Sequence, residues 1–235
     1  MTGTIVATCG GWRPSDRGDV ECSPLQLHAI ESAGVAGRSP RVLYIGTAGG
    51  DQRHVESQEL DAARRAGTDA RHLRLFGRTD EPLEEIVGWA DVVWTGGGSV
   101  VNLLAVWRAH GLDRVLRDAW SRGTVLAGTS AGALCWHSGG TTSSFGPGTA
   151  EPADALGLLS NSLAVHYDSQ PSRRPAHRAA VASGRLAPGF ALDEDTGIVY
   201  RGTMPAEFLT DRDGGRIHRV EEDGEETAIM PTLLR

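Results

Sequence analysis

Apolar residues fall in short blocks along the first half of the chain, and the stretches between them have helical period. TIVATCGG (4–11) predicts a buried strand that ends in glycines. Ser23 and Pro24 predict the N-cap and first position of a helix over PLQLHAIESAG (24–34), stopped by Gly34. RVLYIGTAGG (41–50) predicts a second strand running into a glycine loop, and HVESQELDAARRAG (54–67) an amphipathic helix. ARHLRLF (70–76) alternates with period two, as an outer strand does, and EPLEEIVGWA (81–90) predicts a short helix. DVVWTGGG (91–98) predicts a buried strand, residues 99–111 and 112–123 two helices, and TVLAGTS (124–130) the next strand. Strands alternating with helices imply βαβ units and a parallel, twisted sheet covered on both faces. In such sheets ligands gather at the carboxyl ends of the strands. Three glycine-rich strand ends, Gly10–Gly11, Gly96–Gly98 and Gly128–Gly132, are expected on that one edge.

After residue 138 the pattern changes. SGGTTSSFGPGTAEP (138–152) predicts a long loop, then SLAVHYDS (162–169) a short strand and SRRPAHRAAVASG (172–184) a helix. Residues 190–202, 206–220 and 225–230 predict short strands, with DRDGGR (211–216) as a hairpin turn. The C-terminal part is therefore expected to be antiparallel, extending the sheet or forming a small edge sheet. No linker or repeat divides the chain, so residues 1–235 are read as one domain.

The net charge of −7 argues against nucleic acid and anionic membranes as partners. All 23 basic residues are arginine, which excludes Schiff-base and Ser-Lys chemistry. Cys9, Cys22 and Cys135 match no zinc or disulfide spacing, and neither a signal peptide nor a membrane span is recognisable. These features point to a cytoplasmic protein without metal or other cofactor; a homodimer is compatible with them.

Gly128-x-Ser130-x-Gly132 fits the nucleophile elbow, a strained strand-to-helix turn that needs small neighbours and exposes the serine Oγ. Close packing alone also selects small residues there. The Ala131 N–H follows at a helix start and can face an oxyanion. TGGGS (95–99) reads as the other half of an oxyanion hole, with Gly97 or Gly98 as donor, or as a plain tight turn. No P-loop or dinucleotide fingerprint is present. Among eight histidines, His166 ends a short apolar strand and opens a polar stretch, which suits a general base; His137 follows the elbow and is expected to point away. Arg173 and Arg174 open a helix beyond it. They read as solvated surface residues or as a fork for a substrate carboxylate, with Arg178 in reserve.

GTSAGA, the preceding GGG and the later HYDS…RR resemble the peptidase E family of aspartyl dipeptidases, which includes cyanophycinase; the resemblance runs from about residue 4 to 210. It implies a flavodoxin-like three-layer α/β/α sandwich similar to class I glutamine amidotransferases, mostly parallel with antiparallel strands toward the C-terminus. It further implies hydrolysis of a small peptide next to aspartate through an acyl-enzyme. Ser130 would be nucleophile and His166 base, Gly98 and Ala131 would hold the oxyanion, and Arg173 the aspartyl carboxylate. The chain departs from the family at Ser99, where asparagine is usual, and at Thr141-Thr142-Ser143-Ser144, where the orienting carboxylate is expected. Either Ser143 or Ser144 then orients His166 more weakly, or another acid has moved in, the nearest being Glu151, Asp154 and Asp168. A serine esterase or amidase using the same site, and a catalytically weak peptide-binding homologue, are the alternatives.

Overall fold

A computed structural model describes residues 3–16, 18–77, 81–146 and 148–234. The N-terminal part comprises β1 (Thr4–Cys9), the small hairpin β2 (Trp12–Pro14) and β3 (Val20–Cys22), α1 (Pro24–Glu31), β4 (Arg41–Ile45), α2 (Arg53–Arg65) and β5 (Asp69–Leu73). The middle adds α3 (Leu83–Trp89), β6 (Val92–Thr95), α4 (Val100–His110), α5 (Leu112–Arg122), β7 (Val125–Thr129) and α6 (Ala131–Leu134). Then come β8 (Gly139–Thr142), β9 (Glu151–Asp154), β10 (Ser162–Ala164), α7 (Arg173–Ala182), β11 (Gly189–Leu192) and β12 (Thr196–Arg201). The chain closes with β13 (Met204–Thr210), β14 (Ile217–Val220), β15 (Glu226–Ile229) and β16 (Thr232–Leu233).

The large sheet has the order β16-β13-β12-β1-β7-β6-β4-β5. Its run from β1 to β5 is parallel, and β12 and β13 extend it antiparallel. The pleat explains why its strands are apolar throughout. Ile5, Ala7, Leu43, Ile45, Val93 and Leu126 face one core with α3, α4 and α5, while Val6, Val42, Tyr44, Val92, Trp94 and Ala127 face a second with α1 and α2. The polar alternation of β5 places it at the edge, as expected.

The second sheet is larger than the sequence suggested, with six strands in the order β15-β14-β11-β10-β8-β9. Part of the expected loop at 138–152 is the hairpin β8–β9. Its glycines are the reason a strand is possible there: a Cβ on Gly140 would overlap the Leu163 carbonyl, and one on Gly139 would lie 2.6 Å from the Ala153 oxygen. Leu163, Phe190, Leu192 and Ile217 of this sheet join the core on the α3–α5 side, and α7 covers its other face. The turn from β11 to β12 crosses from the small sheet to the large one. No helix among the described residues is long and apolar enough to cross a membrane.

Candidate active site

Ser130 stands between β7 and α6 at φ 55°, ψ −114°, a conformation that side chains rarely adopt. Sterics hold it there. A Cβ on Gly128 would lie 2.7 Å from the Thr95 carbonyl oxygen, and one on Gly132 would overlap that same oxygen. The Ser130 N–H donates to the Thr8 carbonyl at 3.0 Å, tying the turn to β1. The two glycines are therefore there for backbone packing, and that packing forces the serine outward.

His166 follows β10, also at positive φ (58°). Its Nε2 lies 2.8 Å from Ser130 Oγ and its Nδ1 2.6 Å from Glu194 Oε1. With Nδ1–H donating to the carboxylate, Nε2 is left to accept the serine proton. Glu194 sits in the β11–β12 turn. It also accepts from Ser169 Oγ at 2.6 Å, and its N–H donates to Asp168 Oδ1 at 2.9 Å. The hydrogen bond from His166 is the main cause that brings the Glu194 carboxyl down to about 2.

Cys9, at the end of β1, lies beneath this pair. The His166 N–H donates to its Sγ at 3.2 Å, and its S–H donates to Glu194 Oε2 at 3.4 Å. Burial pushes the thiol well above its ordinary value, with the Glu194 charge adding to the shift, so it stays a protonated donor. Cys9, His166 and Glu194 are also the one trio of metal-type donors among the described residues, with ligand atoms within 4.8 Å of one another. Those atoms already hydrogen-bond to each other, and a cation would have to take Nδ1 from the carboxylate.

Ser143 and Ser144 do not orient His166. Ser144 Oγ pairs with Thr142 Oγ1 at 2.8 Å, and Ser143 Oγ lies 3.4 Å from an Arg173 nitrogen. The carboxylate comes instead from residue 194, and Asp168 fastens that turn by its backbone and by Arg212. Of the other acids considered, Asp154 pairs with Arg185, and Glu151 is exposed. His137 points away, buried against Tyr200. Ser99 is the N-cap of α4, its Oγ accepting from the Asn102 N–H, and does not line the site. Arg178 is turned toward Gly224 and Glu225, and Arg174 pairs with Glu226, both away from Ser130.

Glu194 and Cys9 went unrecognised in the sequence. FALDEDTGIVY reads as one strand interrupted by acids, although the DED cluster between apolar blocks has the form of a strand-end turn.

Gly98, Ser130, Ala131, Thr141, Ser143, His166, Gln170 and Arg173 line one cavity of about 220 Å3. Gly98 has φ 138°, and a Cβ there would overlap the Ala48 carbonyl, so glycine is required where the loop turns in. Gly97 passes on the far side, a Cβ there lying 3.3 Å from Ser130 Cβ. Arg173 is 2% exposed and has no carboxylate partner among the described residues: it donates to the Thr141 carbonyl and, at 2.5 Å, to Gln170 Oε1, while its Nε meets no acceptor among them. Burial lowers its pKa.

This arrangement has relatives. The profile of peptidase family S51 matches residues 25–207. Over 196 residues the chain is 35% identical to an uncharacterized peptidase, YgaJ, of Bacillus subtilis (strain 168), covering 83% of this chain and 84% of that protein. It is 32% identical over 117 residues to peptidase E of Haemophilus influenzae, covering 49% of this chain and 52% of that one. The crystal structure of a peptidase from an acI-B1 Actinobacterium superposes with a TM-score of 0.74 at 20% identity, over 100% of this chain and 96% of the other. The chain thus belongs to peptidase family S51 and is a serine peptidase.

Proposed function

We propose that this enzyme hydrolyses small peptides at the bond following an aspartyl residue, with Ser130 as nucleophile. His166 takes the Ser130 proton as Oγ attacks the carbonyl, and Glu194 stabilises the imidazolium that forms. The N–H groups of Gly98 and Ala131 receive the oxyanion. His166 then returns the proton to the leaving amine, and water, activated by the same imidazole, releases the acyl group.

The observation that carries the substrate class is Arg173. A guanidinium buried beside Ser130 with no counter-charge among the described residues is costly unless a ligand supplies one, and its planar fork suits a carboxylate. The small cavity suits a short peptide. The weak-homologue alternative rested on a missing orienting acid, and Glu194 stands in that place.

A fluorophosphonate probe is expected to label Ser130 and to label His166→Ala far more slowly; no label on the unaltered protein overturns the nucleophile. Among dipeptides, Asp-Leu is expected to be cleaved over Asn-Leu. Arg173→Met should erase that preference, and its survival in the variant overturns the aspartyl reading.

A further inference from the structure

Three remote segments bring metal-type donors together beside Ser130. His166 lies 157 residues from Cys9 and 28 from Glu194 in the chain, and no spacing rule joins the three. Through space Cys9 Sγ is 3.5 Å from His166 Nδ1 and 3.4 Å from Glu194 Oε2. A tetrahedral zinc, about 2.3 Å from sulfur and about 2.0 Å from nitrogen or oxygen, sets sulfur about 3.5 Å from each of its other ligands. Two of the three edges therefore already have the required length. The third, from Nδ1 to Glu194 Oε1, is 2.6 Å and must open to about 3.3 Å. Glu194 can supply that movement, because its side chain is 35% exposed on the β11–β12 turn, and the 26% exposure of His166 opens the same side to an incoming ion.

The surroundings suit a metal-bound thiolate and carboxylate. The His166 backbone N–H donates to Cys9 Sγ at 3.2 Å, and Ser169 Oγ donates to Glu194 Oε1 at 2.6 Å. Such outer hydrogen bonds orient metal ligands and tune their charge. One thiolate and one carboxylate offset a divalent charge, so a half-buried site is left neutral. Cys22 and Cys135 are part of no such trio among the described residues.

We infer that Cys9, His166 and Glu194 form an inhibitory site for a thiophilic divalent cation of the zinc or cadmium kind. The inhibition rests on the reading of Ser130 as nucleophile, whereas the binding does not. As the metal enters, Cys9 gives its S–H proton to solvent. The imidazole loses its Nδ1 proton and takes one at Nε2, so it stays neutral and one proton is released in all. Nε2 then donates toward Ser130 Oγ and can no longer accept its proton. The Glu194 charge is spent on the metal as well. Magnesium and calcium prefer oxygen ligands and gain too little from sulfur to displace the thiol proton.

Cobalt is the probe for binding, since four-coordinate Co2+ with a thiolate ligand absorbs in the visible and near ultraviolet. These bands are expected with the unaltered protein and lost in Cys9→Ala. Glu194→Gln keeps the thiol and should weaken cobalt binding about tenfold or more; it decides alone if a melting curve shows Cys9→Ala unfolded. No bands in the unaltered protein, or bands that either folded variant keeps undiminished, overturn the inference. For inhibition, Ser130 labelling by a fluorophosphonate is timed with and without zinc. Zinc is expected to slow it about tenfold or more, a chelator to restore it and magnesium to leave it unchanged. Each protein is judged by its own ratio with and without zinc, which corrects for a lower basal rate, and the ratio should approach one in Cys9→Ala. No effect of zinc, an equal effect of magnesium, or an effect that Cys9→Ala keeps overturns the inference. If Ser130 takes no label even without zinc, the nucleophile reading fails by itself, and the cobalt bands still decide on the metal site.

Discussion

The two halves of the candidate active site are held in place by different forces. The Ser130 half belongs to the large sheet, where backbone meets backbone: Gly128 and Gly132 press against the Thr95 carbonyl. The His166–Glu194 half hangs between two sheets and is fixed by side chains, with Cys9, Ser169, Asp168 and Arg212 each holding the ring, the carboxylate or the turn. A packed backbone leaves no freedom but cannot accept one more carbon. A hydrogen-bonded relay keeps its shape under small changes of volume, yet loses function when one proton is moved. The first half is therefore sensitive to size and the second to polarity.

The largest effect is expected on the polar side. Glu194→Gln leaves the volume nearly unchanged but cannot stabilise the imidazolium, and kcat should fall by about 10^4. Single-turnover kinetics, with a melting curve to confirm folding, check this. Next comes Gly132→Ala, whose added carbon meets only backbone, the Thr95 and Gly96 carbonyls. It should cost about 3 kcal/mol in urea unfolding and abolish probe labelling. If the melting midpoint stays put, the elbow is looser than the packing implies.

Cys9 sharpens the comparison, because it touches the relay from the large sheet. Cys9→Ala removes both the acceptor of the His166 N–H and the donor to Glu194, and should lower kcat about tenfold. Cys9→Ser restores the donor and should recover part of the loss, whereas a purely volumetric role would leave serine no better than alanine. Smallest is Arg178→Ala: its partners lie away from the site, and kcat/KM should stay within about twofold.

Acid titration separates the halves in another way. Glu194 ionises at about 2 in the folded protein, against an ordinary 4.5. A carboxylate with a depressed pKa stabilises the fold above its unfolded value and loses that contribution as pH falls through the folded one. The stability gap between the unaltered protein and Glu194→Gln should be constant near neutrality and close between about pH 4.5 and 2. Urea midpoints across that range check it; a gap that persists at pH 2 would sink the charge assignment.

Much of the Ser130 half was legible in the chain because it is local. The pentapeptide 128–132 contains the turn, its glycines and the serine, and the period of the flanking blocks shows a buried strand before it. His166 was legible as a strand end, and the large sheet as alternating βαβ units. Glu194 was not, since its role depends on the β11–β12 turn passing between sheets, 28 residues from His166 and 64 from Ser130 in the chain. A local window shows only three acids in a row at 193–195. Cys9 failed for the same reason, and the β8–β9 hairpin because its glycines make it resemble a loop.

The sequence by itself determined which segments become strands, where the elbow lies and which family the chain resembles, because those properties arise from neighbours within a few residues. Only the tertiary structure decided which acid meets the imidazole and which arginine is left, among the described residues, without a counter-charge. Those depend on distances through space between remote segments, and local periodicity carries no record of them.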